Sequence, residues 1–293
     1  MSFISYLIAG ISLGSIYAIM ALGYTMVYGI AKMLNFAHGD VIMIGSYVVF
    51  YAVSSYGLPP VASIGLSVAV CTLLGIVIEK VAYKPLRKAA SLAVLITAIG
   101  VSYLLENLAL LFFGSDSKSF PDVLKLPPLS LAGGKLMIPG TTVFTIVACV
   151  IIMVGLMLFI KRTKAGQAML AVSEDKEAAQ LMGVNVNGTI SLTFAIGSGL
   201  AAIAGVLLCS QYHVLNPYTG ALPGIKAFTA AVFGGIGSIP GAFVGGLLLG
   251  IIEDLSSAYI SSQLANAIVF AVLIVVLLVK PTGLFGKVIR EKV

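Results

Sequence analysis

Residues 142–160 read TVFTIVACVIIMVGLMLFI, and residues 161–188 continue as KRTKAGQAMLAVSEDKEAAQLMGVNVNG. The first stretch contains no charged residue and, at about 1.5 Å rise per residue, is long enough to cross a hydrocarbon layer of about 30 Å. The second stretch carries seven charged residues between Lys161 and Glu177. This pattern is typical of a membrane span that leads into a polar, helix-forming segment in water.

The composition extends this interpretation to the whole chain. Of its 293 residues, 59% are hydrophobic and 10% are charged, and the mean hydropathy is +1.10, which lies outside the range of soluble domains. The alternating pattern of membrane strands is absent, so the spans are predicted to be helices. The candidate spans are 3–28, 41–56, 61–78, 92–113, 142–160, 190–210, a Gly-rich region at 225–255, and 264–279.

The basic residues predict the orientation of these spans. Of the 17 lysines and arginines, 13 lie at position 32, at 80–88, at 161–176 and at 280–292. By the positive-inside rule these segments face the cytoplasm, so the N-terminus and the loop 114–140 face outside. The region 225–255 must then cross twice, or once beside a half-span. We expect the break at GGIGSIPG, residues 234–241, because its glycines and proline interrupt helices.

The predicted fold is therefore one all-α polytopic membrane domain over residues 1–293, with about eight spans plus a broken, partly re-entrant Gly-rich element. PVASIG at 60–65 and PGAFVG at 240–245 share Pro-x-Ala-x-x-Gly, and each span is read as ending in an acid, Glu79 or Glu253. This similarity is consistent with an inverted repeat of the kind found in transporters, or with chance similarity among small residues.

Several chemistries are disfavoured by the sequence. No loop is large enough for a nucleotide-binding domain, and GGIGSIPG lacks the Lys-Ser/Thr of a phosphate-binding loop. Cys71, Cys149 and Cys209 stand alone in apolar runs and are predicted to be packing residues. Neither histidine has the spacing of a zinc or nucleophile site, and no Arg or Lys lies at the centre of a candidate span. Polar residues inside spans are interpreted as interfacial: Glu106, Asn107, Glu253 and Asp254.

The polar stretch 161–188 predicts a short helix. Ser173 is the expected N-cap, Glu174 and Asp175 lie in the first turn, and the helix runs to Met182 before Gly183 ends it. Such a helix across the cytoplasmic mouth of a bundle could fit a cleft in a partner and transmit its movement. The alternative is an ordinary solvated connector.

Three motifs resemble one known family, in order and over essentially the whole chain. RTKAGQAMLAVSEDKEAAQLMGVNVN resembles the cytoplasmic coupling loop of the branched-chain amino acid class of ABC importer permeases. MLNFAHGDVIMIGSYV at 33–48 resembles their first loop, and AVFGGIGSIPGAFVGGLLLGIIE at 231–253 resembles their Gly-rich C-terminal region. Within this family the chain is similar to LivH-type subunits.

The resemblance implies partners and sites that composition does not. LivH-type permeases form half of a pathway with a LivM-type permease, two cytoplasmic ATPase subunits that bind ATP and Mg²⁺, and an extracytoplasmic amino acid binding protein. No cofactor or metal is expected in this chain, and its surroundings are membrane lipid of a bacterial inner membrane, without nucleic acid. The residues implied in ATPase coupling are Glu174, Asp175, Glu177, Ala178, Ala179 and Gly183; those implied at the pathway are Asn35, His38, Gly39, Asp40, Gly234, Gly235, Gly237 and Gly241.

Other functions remain open at this point. Related permeases carry urea, short amides or a broader set of hydrophobic amino acids. A carrier acting alone could couple transport to ions through Glu106, Asp40 or Glu253 and would need no ATP. A membrane scaffold without transport activity is the third class.

Overall fold

A computed structural model describes residues 2–87, 89–131 and 136–286, most of which are helical. A π-helical turn at Glu79–Tyr83 and a 3-10 turn at Lys84–Leu86 follow the third helix. Two antiparallel pairs of short strands, β1 with β4 and β2 with β3, lie in the loops. The elements in order are α1 Ser2–Ala31, α2 His38–Ser54, α3 Pro60–Ile78, α4 Ser91–Phe113, β1 Lys118–Ser119, β2 Leu129–Leu131, β3 Leu136–Ile138, α5 Gly140–Arg162, α6 Lys164–Glu174, α7 Lys176–Leu181, α8 Val186–Tyr212, β4 Val214–Leu215, α9 Ala221–Gly234, α10 Ile239–Tyr259 and α11 Ala265–Val279.

The predicted all-α polytopic fold is confirmed, and a helix lies at the position of every candidate span. Among the described residues, six helices are long and apolar enough to cross a membrane: α1, α3, α4, α5, α8 and α10. Three shorter apolar helices, α2, α9 and α11, have 17, 14 and 15 residues. The break predicted at 234–241 is also confirmed, because α9 ends at Gly234 and α10 begins at Ile239.

The short helices α2 and α9 both begin inside the bundle. The imidazole of His38, the first residue of α2, lies against Gly23 of α1. Gly23 precedes Ala31, the last residue of α1, by eight positions, or about 12 Å along the helix axis. Gly220, just before α9, touches the backbone of Gly39 at the same place. Two half-helices therefore meet N-terminus to N-terminus within the protein.

The core is built around α1 and α8, which cross at Gly23 and Gly197. The most extensive partner of α1 is α10, and that of α8 is α3; α9 also packs on α1, and α2 on α8. Cys71, Cys149 and Cys209 are buried and free, as expected of packing residues. This arrangement is the one expected for two related units, α1–α3 and α8–α10. Their opposite directions across a membrane stay a prediction.

Different loops lie at the two ends of the bundle. One end brings together Ala31, the turns after α3, the segment 161–188 and residues 280–286. Four residues predicted to be cytoplasmic, Lys88, Lys287, Arg290 and Lys292, lie outside the described residues. At the other end, Phe120 donates its N–H to the His213 carbonyl at 3.0 Å, and the rings of Phe3 and Tyr6 pack on Tyr259. The described part of the loop 114–140, predicted to lie outside, is thus at the end opposite the described basic segments.

The interpretation of the acidic residues as interfacial is wrong for Glu253. It lies six positions before the end of α10 and pairs inside the bundle with Lys226, the sixth residue of α9. The prediction that no Arg or Lys lies at the centre of a span put Lys226 at the edge of this region, because the region was taken to begin at residue 225. The helix in fact begins at Ala221, which carries Lys226 into the interior with 4% of its surface exposed.

Candidate functional site

The segment 161–188 forms two helices instead of one. Thr163 caps α6 by accepting the N–H of Gly166 at 3.0 Å, and α6 then folds back along the end of α5. A Cβ on Gly166 would stand 2.3 Å from the Ile160 Cα, so the sharp reversal requires a residue without a side chain there. Met169 and Val172 are fully or almost fully buried. They anchor α6 to the rest of the protein.

The second helix, α7, is shorter than predicted and has a different cap. The expected N-cap, Ser173, lies inside α6, and the cap is Asp175, whose Oδ1 accepts the N–H groups of Glu177 and Ala178 at 2.8 and 2.9 Å. The prediction failed because serine and aspartate are equally good caps and only folding selects one. The predicted stop at Gly183 is confirmed. Gly183 has φ +84°, and the N–H of Val184 reaches the carbonyl of Ala179, as in a Schellman motif.

Five of the six residues predicted to couple to an ATPase lie on the surface of this segment. Glu174 ends α6, Asp175 caps α7, and Glu177, Ala178 and Gly183 are exposed beside them. The sixth, Ala179, is buried against its own chain. The most prominent apolar side chains of the segment are Leu181 and Met182, which are 88% and 84% exposed.

Two polar bridges tie this exposed segment to the bundle. Lys176 at the start of α7 donates to the carbonyl of Ala31 at 2.8 Å, at the end of α1. Burial, together with the positive charges of Arg87 and Lys32, lowers the Lys176 pKa from its ordinary value.

The second bridge connects the start of α8 with the turns after α3. Arg87 donates to both Asn187 and the fully buried carboxylate of Glu79. The Ser191 hydroxyl donates to the same carboxylate at 2.6 Å. These bonds connect α7 directly to α1 through Lys176, and α8 to the turns after α3 through Glu79 and Arg87.

The four predicted pathway residues near the first turn lie close together and are buried. Asn35 lies in the turn after α1, where its Oδ1 accepts the Tyr83 hydroxyl at 3.0 Å. His38, Gly39 and Asp40 form the first turn of α2. Asp40 is 2% exposed, and its Oδ2 has no hydrogen-bond partner among the described residues.

The contact between Gly39 and Gly220 has no room for a side chain. A Cβ on Gly220 would lie 1.8 Å from the Gly39 carbonyl oxygen, and one on Gly39 would lie 2.6 Å from the Gly220 oxygen. The two helix N-termini can approach this closely only because both residues are glycine.

The predicted glycines of the broken element form the link between α9 and α10. Gly234 and Gly241 touch each other across the break, while Gly235 and Gly237, with φ of +103° and +93°, form the link itself. The N–H groups of Leu284 and Phe285 donate at 2.9 Å to the carbonyls of Phe233 and Gly234, which closes the end of α9. These glycines are packed by the chain itself.

An ion pair that the sequence analysis did not predict lies between α1, α9 and α10. The Lys226 Nζ donates to Glu253 Oε1 at 2.7 Å, and the Tyr17 hydroxyl donates to Glu253 Oε2 at 3.0 Å. The side chains of Lys226 and Glu253 are 5% and 14% exposed. Lysine near an apolar stretch gives no sequence signal for pairing with an acid 27 positions later.

This geometry defines the class of protein. A polytopic bundle with discontinuous helices meeting inside it, and with an amphipathic segment protruding at one end, has the architecture of a membrane transport permease. The described residues contain no group of three or more His, Cys, Asp or Glu side chains that could hold a metal ion.

Comparison with known proteins gives the family. Residues 6–277 match the model of the branched-chain amino acid transport system permease component, and the chain belongs to this family. It is 45% identical to the high-affinity branched-chain amino acid transport system permease protein BraD of Pseudomonas aeruginosa, over 99% of this chain and 98% of that protein. It is 44% identical to LivH of Escherichia coli over the same shares. Among solved structures, PsaBC from Streptococcus pneumoniae in complex with Fab aligns with a TM-score of 0.46 at 14% identity over 96% of this chain and 91% of that chain, too weak a likeness for further conclusions.

Proposed function

We propose that this protein is a permease subunit of an ATP-driven importer that moves branched-chain amino acids into the cell. The observation that carries the proposal is 45% identity over nearly the full length of a relative named for that transport system. The exposed α6–α7 segment is bonded to α1 through Lys176, and the start of α8 that follows it is bonded to the turn after α3 through Arg87. These connections agree with a subunit driven from outside its own chain.

The proposed complex contains a second permease of the LivM type, two ATPase subunits that bind ATP and Mg²⁺, and an extracytoplasmic amino acid binding protein. We place the N-terminus outside and the segment 161–188 in the cytoplasm of a bacterial cell, with membrane lipid around the spans. The loop 114–140, whose described residues lie at the opposite end from that segment, is the proposed docking surface for the binding protein.

The ATPase docking surface is the exposed side of α7. Ala178, Leu181 and Met182 form its apolar part, and Glu174, Asp175 and Glu177 surround it with negative charge. An apolar centre with a charged rim is the usual composition of a specific protein interface. Ala179 supports this surface from inside, and Gly183 sets the direction in which the chain leaves it.

The proposed pathway opens at the junction of α2 and α9. Asn35, His38, Gly39 and Asp40 lie on one side of it, and the break at 234–241 permits α9 to move relative to α10. These residues are buried in the present conformation. In the proposal, this conformation is therefore a closed state of this half of the pathway.

The first test is purification of the protein from its native membrane in mild detergent, followed by an ATPase assay. Recovery of a second permease and two ATPase chains, with hydrolysis stimulated by leucine-loaded binding protein, is the expected result. Recovery of this chain alone, with uptake that persists without ATP and collapses with the ion gradient, would replace the proposal with an ion-coupled carrier.

The second test addresses the docking surface. Leu181→Asp places a charge where an apolar side chain of roughly 2–3 kcal/mol burial energy would dock, so ATPase recovery should fall at least tenfold. Leu170→Asp is the matched control, because Leu170 is an exposed leucine of the same segment but lies on α6. Equal recovery of the ATPases with both variants would exclude the exposed side of α7 as the docking surface.

A further inference from the structure

A cavity at the end of the bundle opposite the basic segments has no role in the function described so far. It measures about 310 Å³ and lies between the start of α1, the β3–α5 connection and the end of α8. This is the lower end of the range for small-molecule sites in proteins. It is separate from the junction of α2 and α9 and from the α6–α7 segment.

Two buried polar atoms on one wall of the cavity lack partners among the described residues. They are Ser210 Oγ and Gln211 Oε1, at the end of α8, and Ser210 is 4% exposed. A buried helical serine or threonine usually donates to the carbonyl four positions earlier, as Ser46 and Thr193 do here. Ser210 does not, so its donor remains available to a ligand, and Gln211 contributes an acceptor.

The facing wall is the N-terminus of α5. Thr141 and Thr142, in its first turn, line the cavity with hydroxyl groups. The N–H groups of Thr142 and Val143 already donate to the Pro139 carbonyl, which leaves those of Gly140 and Thr141 without a partner inside the helix. Free N–H groups at a helix N-terminus carry partial positive charge, which favours a carboxylate or another anionic oxygen. The cavity therefore has donors on two sides and an acceptor on one.

The remaining lining is apolar or already paired. Ile8, Ala9, Met137 and Ile138 form the aliphatic part of the lining. Among the described residues, none of those lining the cavity is Lys, Arg, Asp or Glu, and the Nε2 of His213 at its edge is bonded to Asp122 at 2.9 Å. Phosphate groups are usually held by arginine or lysine, so this uncharged lining suits a ligand whose net charge is zero.

We propose that this cavity binds one aliphatic α-amino acid as a zwitterion, on the side of the permease that receives it. Its carboxylate accepts hydrogen bonds from the N-terminus of α5 and from Ser210, its ammonium group donates to Gln211 Oε1, and its side chain lies on Ile8 and Ile138. The inference rests on the proposed function, which supplies the substrate class. A phospholipid shares the combination of polar head and apolar body and is the competing occupant.

The test uses the whole transport complex in lipid nanodiscs without binding protein. Equilibrium binding of radiolabelled leucine is measured for the wild type and for two variants, Ala9→Phe, which fills the cavity, and Gln211→Leu, which removes the acceptor. Ala62→Phe is the matched control, because Ala62 is exposed at the start of α3. Leucine should bind the wild type and the control, and its affinity should fall at least tenfold in both cavity variants.

Co-purification of the partner subunits and the melting temperature show that each variant is folded. Leucine binding that is unchanged in both variants would overturn the inference. The inference would also be overturned if mass spectrometry found a tightly retained phospholipid in the wild type but not in Ala9→Phe, and neither protein bound leucine. The proposed function is read separately, from ATP-driven uptake by the wild type with binding protein present; uptake without cavity binding would reject this inference alone.

Discussion

Replacement of Lys226 tests the buried ion pair between α9 and α10. Lys226→Met keeps most of the side-chain length but removes the ammonium group that holds Glu253 at 2.7 Å. The carboxylate of Glu253 is then left in a site where it is 14% exposed, with the Tyr17 hydroxyl at 3.0 Å as its remaining hydrogen-bond donor.

Loss of one partner of a buried ion pair typically costs about 3–5 kcal/mol. We expect the low end, about 3 kcal/mol, because Tyr17 still donates to the carboxylate and part of it reaches the surface. At about 2–4 °C per kcal/mol for a large domain, the melting temperature should fall by roughly 6–12 °C.

The double variant Lys226→Met/Glu253→Gln supplies the comparison. It removes both charges, and an uncharged replacement of a buried pair is often neutral or stabilising. Its melting temperature should therefore lie above that of Lys226→Met and near that of the wild type. The assay is thermal unfolding of the purified protein in one detergent. A Lys226→Met melting temperature within about 1 °C of the wild type would refute the reasoning, since the pair would then contribute less than about 0.5 kcal/mol.

Two further predictions concern the helix junction and the link to α1. Gly220→Ala should destabilise the protein by about 1–3 kcal/mol through overpacking, because its Cβ would lie 1.8 Å from the Gly39 oxygen. Gly100→Ala is the control, because Gly100 has open space around it and the variant should keep the wild-type melting temperature. Equal melting temperatures for the two variants would contradict this prediction. Lys176→Gln should speed hydrogen exchange of the α7 amides about tenfold, because a hydrogen bond from a charged donor contributes about 1.5–3 kcal/mol. Lys176→Arg should retain the slow exchange, and equal rates for both variants would show that the bond to Ala31 does not hold α7.

The elements that sequence predicts well are those set by composition and by backbone geometry. Apolar runs fix where helices lie, because only a helix satisfies its own backbone groups in lipid. Gly183 ends α7, and the glycines at 234–241 separate α9 from α10. The reason is local in both cases, because Gly183, Gly235 and Gly237 adopt positive φ. These features depend on neighbours in sequence, which is why they can be read without a structure.

The features that sequence does not predict depend on which helices meet. The contact of Gly39 with Gly220 joins residues 181 positions apart, and the carboxylate of Glu79 is bonded to Ser191, 112 positions away. No local pattern marks the partner in either case. The choice of Asp175 over Ser173 as a cap is equally non-local, because the buried side chains of α6 decide how far that helix extends.

The acids at Glu79 and Glu253 bear on the question of an internal repeat. Each is bonded to one cation and one hydroxyl: Glu79 to Arg87 and Ser191, Glu253 to Lys226 and Tyr17. In each case the hydroxyl comes from the central helix on which the acid-bearing helix packs, α8 for α3 and α1 for α10.

The spacing to the shared prolines differs, however. Glu79 follows Pro60 by 19 positions, whereas Glu253 follows Pro240 by 13. No ungapped alignment matches both the prolines and the acids. The prolines are explained by helix starts, where proline fits in any protein, so the paired acids and the symmetric helix contacts are the better evidence for two related units.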